Sequence, residues 1–298
     1  MDTALALLPD FALILLGFGL RRYMHLGDHF WTGLEKLVYF VLFPALLFNA
    51  LVKNPIDWAA APPLVLSGAA AMVVAMLLAL PVRWLSRISP VSFASQFQCA
   101  FRFNSYIGFA VAGKLHGAEG IAAMGILTGA MVPLANIAAV SMLARHGSTG
   151  VLRELARNPL FLATLAGLAW SAAALPAPQP VLGFLGRLSE ASIALGLLTV
   201  GAALRIRGAF GDGGHGAAAW FVAVKLAAMP AAALLIARAL GLTGIYFDIA
   251  VAFAALPTAS SAYILTQRMG GDGTRVAWLI SMTTLLAMLT LPAWMALL

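Results

Sequence analysis

PDFALILLG, at residues 9–17, returns 150 positions later as PLFLATLAG, at residues 159–167, with a proline and a glycine eight apart inside an apolar run each time. Two further echoes lie at about the same displacement. Leu34-Glu35 is answered by Leu188-Ser189-Glu190, and Gly117-Ala118-Glu119-Gly120 by Gly270-Gly271-Asp272-Gly273. A weak repeat between the halves of a very hydrophobic chain points to duplication of a membrane unit. Many secondary transporters are built that way, with the ligand site where the halves meet.

Composition supports the membrane reading. Of 298 residues, 62% are hydrophobic and 10% charged, which is too apolar for an ordinary soluble domain. The first apolar run contains Asp2 and Asp10 and has neither a basic leader nor a small-residue cleavage site. It reads as a retained helix, with the mature chain starting at Met1. The single cysteine, Cys99, sits among apolar neighbours and reads as a small buried hydrophobe. The formal charge of +7 comes from Lys and Arg scattered singly among short loops, with no run or stripe, so nucleic acid is not expected as a partner.

Hydrophobic stretches of about 20 residues, enough to cross a bilayer, fall near residues 4–20, 34–52, 62–82, 93–113 and 119–144. A second set falls near 158–176, 184–204, 217–240, 246–267 and 275–297. Cytoplasmic loops carry an excess of Lys and Arg. One set of alternate loops holds Arg21, Arg22, Arg83, Arg87, Arg145, Arg153, Arg157, Arg205, Arg207, Arg268 and Arg275, whereas the other holds Lys53, Lys114, Arg187 and Arg238, eleven against four. The bias places both termini on the non-cytoplasmic side. Five spans per half is an odd number, so the second half enters the membrane from the opposite face and the repeat is inverted. Such a unit provides two pseudo-equivalent states, one open to each side, the basis of alternating access.

The fourth span carries an unusual polar cluster: Gln96, Gln98, Arg102, Asn104, Ser105 and Tyr106, followed by Gly108. An arginine near a helix centre costs roughly 2.5–3.5 kcal/mol on insertion scales, so Arg102 is expected to face a water-filled or protein-lined cavity. The counterpart in the ninth span is Leu256-Pro257-Thr258-Ala259-Ser260-Ser261-Ala262-Tyr263, where Pro257 removes a backbone donor and the small polar residues can satisfy freed carbonyls or a ligand. Half-helix N-termini meeting there would present partial positive charge to a carboxylate, and Arg102 would add a full charge and a bidentate fork. Ser260 and Ser261 can equally be packing residues that let helices approach, and Arg102 can pair with an internal carboxylate. Asp10, Glu35, Glu190 and Asp248 all lie near span ends, however, so the middle layer offers cations and amides. That layer fits an anionic substrate better than a coupling cation. Lys225 is a second anion-attracting candidate, or snorkels to the interface. Asn136, after Pro133, is read as cavity-lining, and Asn49, after Pro44, as structural.

Other patterns carry little. His25 and His29 have helical metal-pair spacing but no third ligand, so no metal is expected. The glycine-rich stretch at 208–216 lacks the Lys-Ser/Thr of a phosphate loop and reads as a hinge. There is no Gly-x-Ser-x-Gly and no histidine inside a span, so neither enzymatic chemistry nor a cofactor is expected.

FPALLFNAL at 43–51, NSYIGFAVAGKLHGAEG at 104–120, VPLANIAAVSMLA at 132–144 and LPTASSAYILTQRMGGD at 256–272 together resemble the auxin efflux carrier family, along nearly the whole chain. The family includes bacterial organic-anion permeases and plant auxin exporters. The resemblance implies an all-α membrane protein with ten transmembrane helices in an inverted 5+5 repeat, related to the bile-acid-symporter fold, in which helices 4 and 9 are broken and cross. It implies scaffold helices 1–2 (residues 1–60) and 6–7 (147–207), the latter with the former forming a homodimer contact. Transport-domain helices 3–5 (61–146) and 8–10 (208–298) would move against them as an elevator. Carried over residue by residue, it places Asn104, Ser105, Tyr106, Gly108, Pro257, Thr258, Ser260 and Ser261 at the substrate site, with Asn136 beside them. Family members often carry Gly-Leu-Pro where this chain has Gly108-Phe109-Ala110, so the first break is expected to be gentler, with Asn104, Ser105 and Gly108 making the bend. The expected function is transport of a small organic anion, with Arg102 as its main partner, across the plasma membrane. The alternatives are a sodium-coupled symporter of bile-acid type and a non-transporting sensor on the same fold.

Overall fold

In hydrocarbon a helix satisfies every backbone group within its own segment, and the Ala, Leu and Met that fill the apolar runs lose little side-chain freedom on becoming helical. The computed structural model describes residues 2–24, 26–54, 57, 59–86, 88–143, 158–173, 175–205 and 214–298, with side chains from Leu7 onward; His25 and residues 208–213 of the glycine-rich stretch lie outside them. Among the described residues the chain is helical, with no strand. The helices are α1 (Asp2–Tyr23), α2 (Asp28–Lys53), α3 (Ala61–Leu85), α4 (Pro90–Phe97), α5 (Ser105–Leu143), α6 (Pro159–Ala172), α7 (Gln179–Ala203), α8 (His215–Ala239), α9 (Gly244–Ala255), α10 (Ser261–Arg268) and α11 (Gly273–Met295). Among the described residues six helical stretches, counting Pro90–Leu143 as one, are long and apolar enough to cross a membrane.

Helix starts follow local chemistry. The Ser89 hydroxyl accepts from Ser92 N at 3.2 Å, Asn158 Oδ1 from Leu160 N at 3.0 Å, and Asp272 Oδ1 from Arg275 N at 3.2 Å, each satisfying a donor that the first turn leaves orphaned. Prolines shape the interiors. A π-helical turn at Val38–Leu42 precedes Pro44, and another at Val224–Ala228 precedes Pro230. Proline has no N–H, so the carbonyl four residues earlier loses its partner. For Pro230 that carbonyl is Leu226, and Trp294 Nε1 donates to it from α11 at 2.9 Å.

Two breaks dominate the interior. α4 tightens into a 3₁₀ turn at Gln98–Ala100 and leaves the helix at Phe101 (φ −133°); regular structure resumes at Ser105. α9 stops at Ala255, and Leu256 is extended (φ −61°, ψ 144°), as the residue before a proline must be. The breaks satisfy each other. Asn104 N donates to the Pro257 carbonyl at 2.9 Å, the Thr258 hydroxyl donates to the Cys99 carbonyl at 2.8 Å, and Thr258 N donates to Thr283 Oγ1 at 3.2 Å. The first break is therefore complete without a proline and lies before Ser105. Gly108 sits inside regular helix; a Cβ there would come within 2.9 Å of Leu256 Cδ1, so it permits close approach of the second break and makes no bend.

Past each break the backbone turns at a positive φ that favours glycine, at Gly117 (φ 57°) within α5 and Gly270 (φ 69°) between α10 and α11. These are the first glycines of the echoed pair. α1 lies along α7, and α2 packs against α6 and α7. The α1–α7 contact is backbone against backbone, because a Cβ on Gly17 would meet the Leu198 carbonyl and one on Gly201 the Ile14 carbonyl. α9 is enclosed by α3, α5, α8 and α11.

Candidate functional site

Arg102 lies in the first break, only 9% exposed. Its Nη2 donates to Asn136 Oδ1 at 3.0 Å and to Ser261 Oγ at 3.2 Å, and its Nη1 donates to Gln98 Oε1 at 3.3 Å. The Gln98 amide in turn donates to Thr266 Oγ1 at 2.9 Å and the Ala262 carbonyl at 3.3 Å. One guanidinium thus ties together α4, the second arm of α5 and the start of α10. Asn136 reaches this cluster from just beyond Pro133 and bonds to Arg102; it does not line the cavity beside the second break.

The remaining candidates divide by role. Asn104 Oδ1 accepts from Tyr106 N at 3.0 Å and Ile107 N at 3.3 Å, so its side chain caps the first arm of α5. Ser105 opens that helix, and the Tyr106 ring stacks on Phe43 of α2, centroids 4.7 Å apart and 3° from parallel. Pro257 contributes its carbonyl to Asn104, and Thr258 is wholly buried as a latch between the breaks. Lys225 lies inside the protein, bonded to the main chain. It is 0% exposed and does not snorkel, and its Nζ donates to the Ala254 carbonyl at 3.1 Å and approaches Met229 Sδ at 3.2 Å.

A cavity of about 330 Å³ lies beside the second break, between α1, α2 and α7 on one side and α10 and α11 on the other. Its wall includes Arg21, Trp31, Glu35, Arg205, Ser260 and Tyr263. This is within the usual range for small-molecule sites, about 300–1,000 Å³. Ser260 joins the cavity to the Arg102 cluster, since its neighbour Ser261 accepts from Arg102. No side chain caps the N-terminus of α10 at Ser260, in contrast to the α5 arm sealed by Asn104. Arg205 is held by its backbone N–H on Ser281 Oγ at 2.7 Å, and its guanidinium lies 5.4 Å from the centre of the Tyr263 ring. Arg21 donates to the Ala202 carbonyl at 3.0 Å and pairs with Asp28 at 2.6 Å. The wall therefore sets the Arg205 guanidinium and the start of α10 beside Arg21, which Asp28 pairs, and beside the Glu35 carboxylate. Arg102 does not line the cavity.

Arg21 and Arg205 stand in the sequence as loop charges, and only their number, not their placement, marked them. Tyr263 is visible in the 256–272 motif, but no local pattern pairs it with a charge 58 positions earlier (263 − 205).

The family model described as "Membrane transport protein" matches residues 141–295, just over half of the chain. A Rhizobium meliloti (strain 1021) protein named "Putative malonate transporter" is 26% identical over 308 aligned positions, covering 95% of this chain and 92% of its own. An "Uncharacterized transporter" of Methanothermobacter thermautotrophicus is 26% identical, covering 99% of this chain and 98% of its own. "Auxin efflux carrier component 7" of Arabidopsis thaliana is 27% identical over 146 positions, 48% of this chain and 24% of its own.

Proposed function

Because the chain belongs to the membrane transport protein family that includes the auxin efflux carriers, and is a transporter and not an enzyme, we propose that it carries a small organic anion with one or two carboxylates by alternating access. The observation that carries this reading is the cavity lined by Ser260, at the start of α10 where no side chain caps the helix, and by Arg21 and Arg205. In this reading Ser260, Tyr263 and Arg205 meet the anion. Arg102 acts from one residue behind, supplying a full charge and holding Ser261 and Asn136 in place. The "malonate" in a relative's name agrees with a compact carboxylate, and a cavity of this size admits one with its waters.

An inverted 5+5 repeat of ten transmembrane helices is the architecture we favour. Its support is that each half contains a broken helix, a left-handed glycine turn and a long final helix, and that these features clasp crosswise. Ser92 at the start of α4 donates to Asp272 before α11 at 2.8 Å, and Asp248 at the start of α9 pairs with His116 at the α5 turn at 2.8 Å. α1, α2, α6 and α7 would form the scaffold and dimer surface. The remaining helices would form an elevator unit, with the termini outside the plasma membrane and the cavity open to the cytoplasm, where Arg21 and Arg205 belong by the charge bias.

The test is thermal unfolding of the purified protein with malonate, acetate, an aromatic carboxylate or sodium, followed by uptake of radiolabelled ligand into proteoliposomes. A carboxylate that binds the folded state raises the midpoint. Arg205→Ala is expected to weaken that ligand by on the order of 10–100-fold, the worth of one charged hydrogen-bonded contact. Arg102→Ala is expected to abolish the effect, with Arg102→Lys restoring part. Stabilisation by sodium alone, or unchanged carboxylate binding in folded Arg205→Ala and Arg102→Ala proteins, would overturn the assignment.

A further inference from the structure

Lys225 is a buried charged side chain that takes no part in the anion site. It emerges from the π turn of α8, fully buried, and points at the last turn of α9. In an uninterrupted helix the Ala254 carbonyl would accept from the N–H four residues on, that of Thr258. The break diverts that N–H to Thr283 Oγ1 at 3.2 Å. Ala254 is left as an orphaned carbonyl at the negative end of a half-helix, and the Lys225 ammonium fills it at 3.1 Å.

Among the described residues no carboxylate pairs with Lys225. The nearest acidic groups in sequence on the elements around it are committed elsewhere, Asp248 to His116 and Asp272 to Ser92 and Arg275. The ammonium is therefore held by main-chain dipole and a thioether alone. Half-helix C-terminal ends and unwound carbonyls are the groups with which secondary transporters hold a free monovalent cation.

We propose that Lys225 is a built-in cation of the crossing, its ammonium occupying the position at the C-terminal end of α9 where a free monovalent cation would otherwise bind. Two consequences follow. Removing the ammonium creates a site for a small monovalent cation, with an alkylammonium that replaces the lost atoms fitting best. The intact protein needs no sodium to complete its crossing, and only this second consequence rests on the reading of the protein as an anion carrier.

The experiment measures apparent unfolding midpoints in nanodiscs, without carboxylate, in propylammonium, sodium or choline chloride, for wild type, Lys225→Ala and Lys225→Gln. Wild type is expected to be indifferent to the choice of cation. Lys225→Ala is expected to unfold earlier and to regain about 2–4 °C in about 100 mM propylammonium relative to choline, as a ligand held near 10 mM would give. Lys225→Gln, which keeps a hydrogen-bond donor without the charge, is expected to unfold early and to resist rescue. A Lys225→Gln midpoint equal to wild type, or a folded Lys225→Ala protein on which no cation acts differently from choline, overturns the proposal. Should neither variant fold, wild type decides: stabilisation by sodium over choline refutes a resident cation, and indifference supports it. Because no carboxylate is present, failure here is distinct from failure of the anion site.

Discussion

Thr258→Val is the sharpest probe of how the two breaks hold together. The substitution keeps the β-branched shape and removes one hydroxyl, whose proton goes to the Cys99 carbonyl at 2.8 Å. In a continued helix that carbonyl would accept from Phe103, but Phe103 lies in the break. Both residues are buried, so water cannot replace the lost donor. Orphaning a buried acceptor costs about 1–3 kcal/mol, and in a chain of this size each kcal/mol moves the unfolding midpoint by about 2 °C, giving a fall of about 2–6 °C. Thr258→Ser retains the hydroxyl and loses one methyl, about 0.8 kcal/mol of apolar burial, so it should fall less. Thr283→Val removes the acceptor of Thr258 N–H at 3.2 Å and should also be costly. Because both threonines serve one junction, the double valine variant should depart from additivity by about 0.5 kcal/mol or more. The assay is tryptophan-fluorescence unfolding in nanodiscs. A Thr258→Val protein as stable as wild type, with Thr258→Ser the weaker of the two, would refute the latch.

Two further outcomes test packing and backbone accounting. Gly201→Ala drives a Cβ into the Ile14 carbonyl, where backbone cannot yield, whereas Gly108→Ala meets only the mobile tip of Leu256 at 2.9 Å; the first should lower the midpoint by the equivalent of about 1–3 kcal/mol and the second by clearly less, and equal effects would contradict the close α1–α7 contact. Trp294→Phe strips the donor from the Leu226 carbonyl at about 1–3 kcal/mol; adding Pro230→Ala restores a backbone N–H four residues on, so the double variant should lose less than Trp294→Phe alone, and a strictly additive pair would sink this explanation of the π turn.

The helices were legible because hydrocarbon leaves the backbone few choices, and each of the ten hydrophobic stretches is helical over most of its length. The second break was legible as well, since Pro257 forces Leu256 out of the helix. The first was misjudged in position. Without a proline nearby, the bend was expected to extend to Gly108, yet it is finished by Ser105 because Asn104 supplies its own cap and the Pro257 carbonyl accepts its N–H. Among the site candidates, Arg102, Asn136 and Ser261 do converge, whereas Tyr106 and Thr258 serve packing and the junction, and Lys225 answers an orphaned carbonyl.

What the sequence determined alone was a helical membrane protein, with polar residues clustered where two helices fail. Those conclusions rest on local quantities: apolar length, a missing proline N–H, a glycine that can turn left-handed, a bias of charge among loops. Tertiary structure decided the partners. Arg102 meets Asn136 and Ser261, Lys225 meets Ala254, and Arg205 meets Tyr263 at the cavity. Each pairing joins segments distant in the chain, and each arises because a break orphans a backbone group or opens a space that only the apposed element can fill.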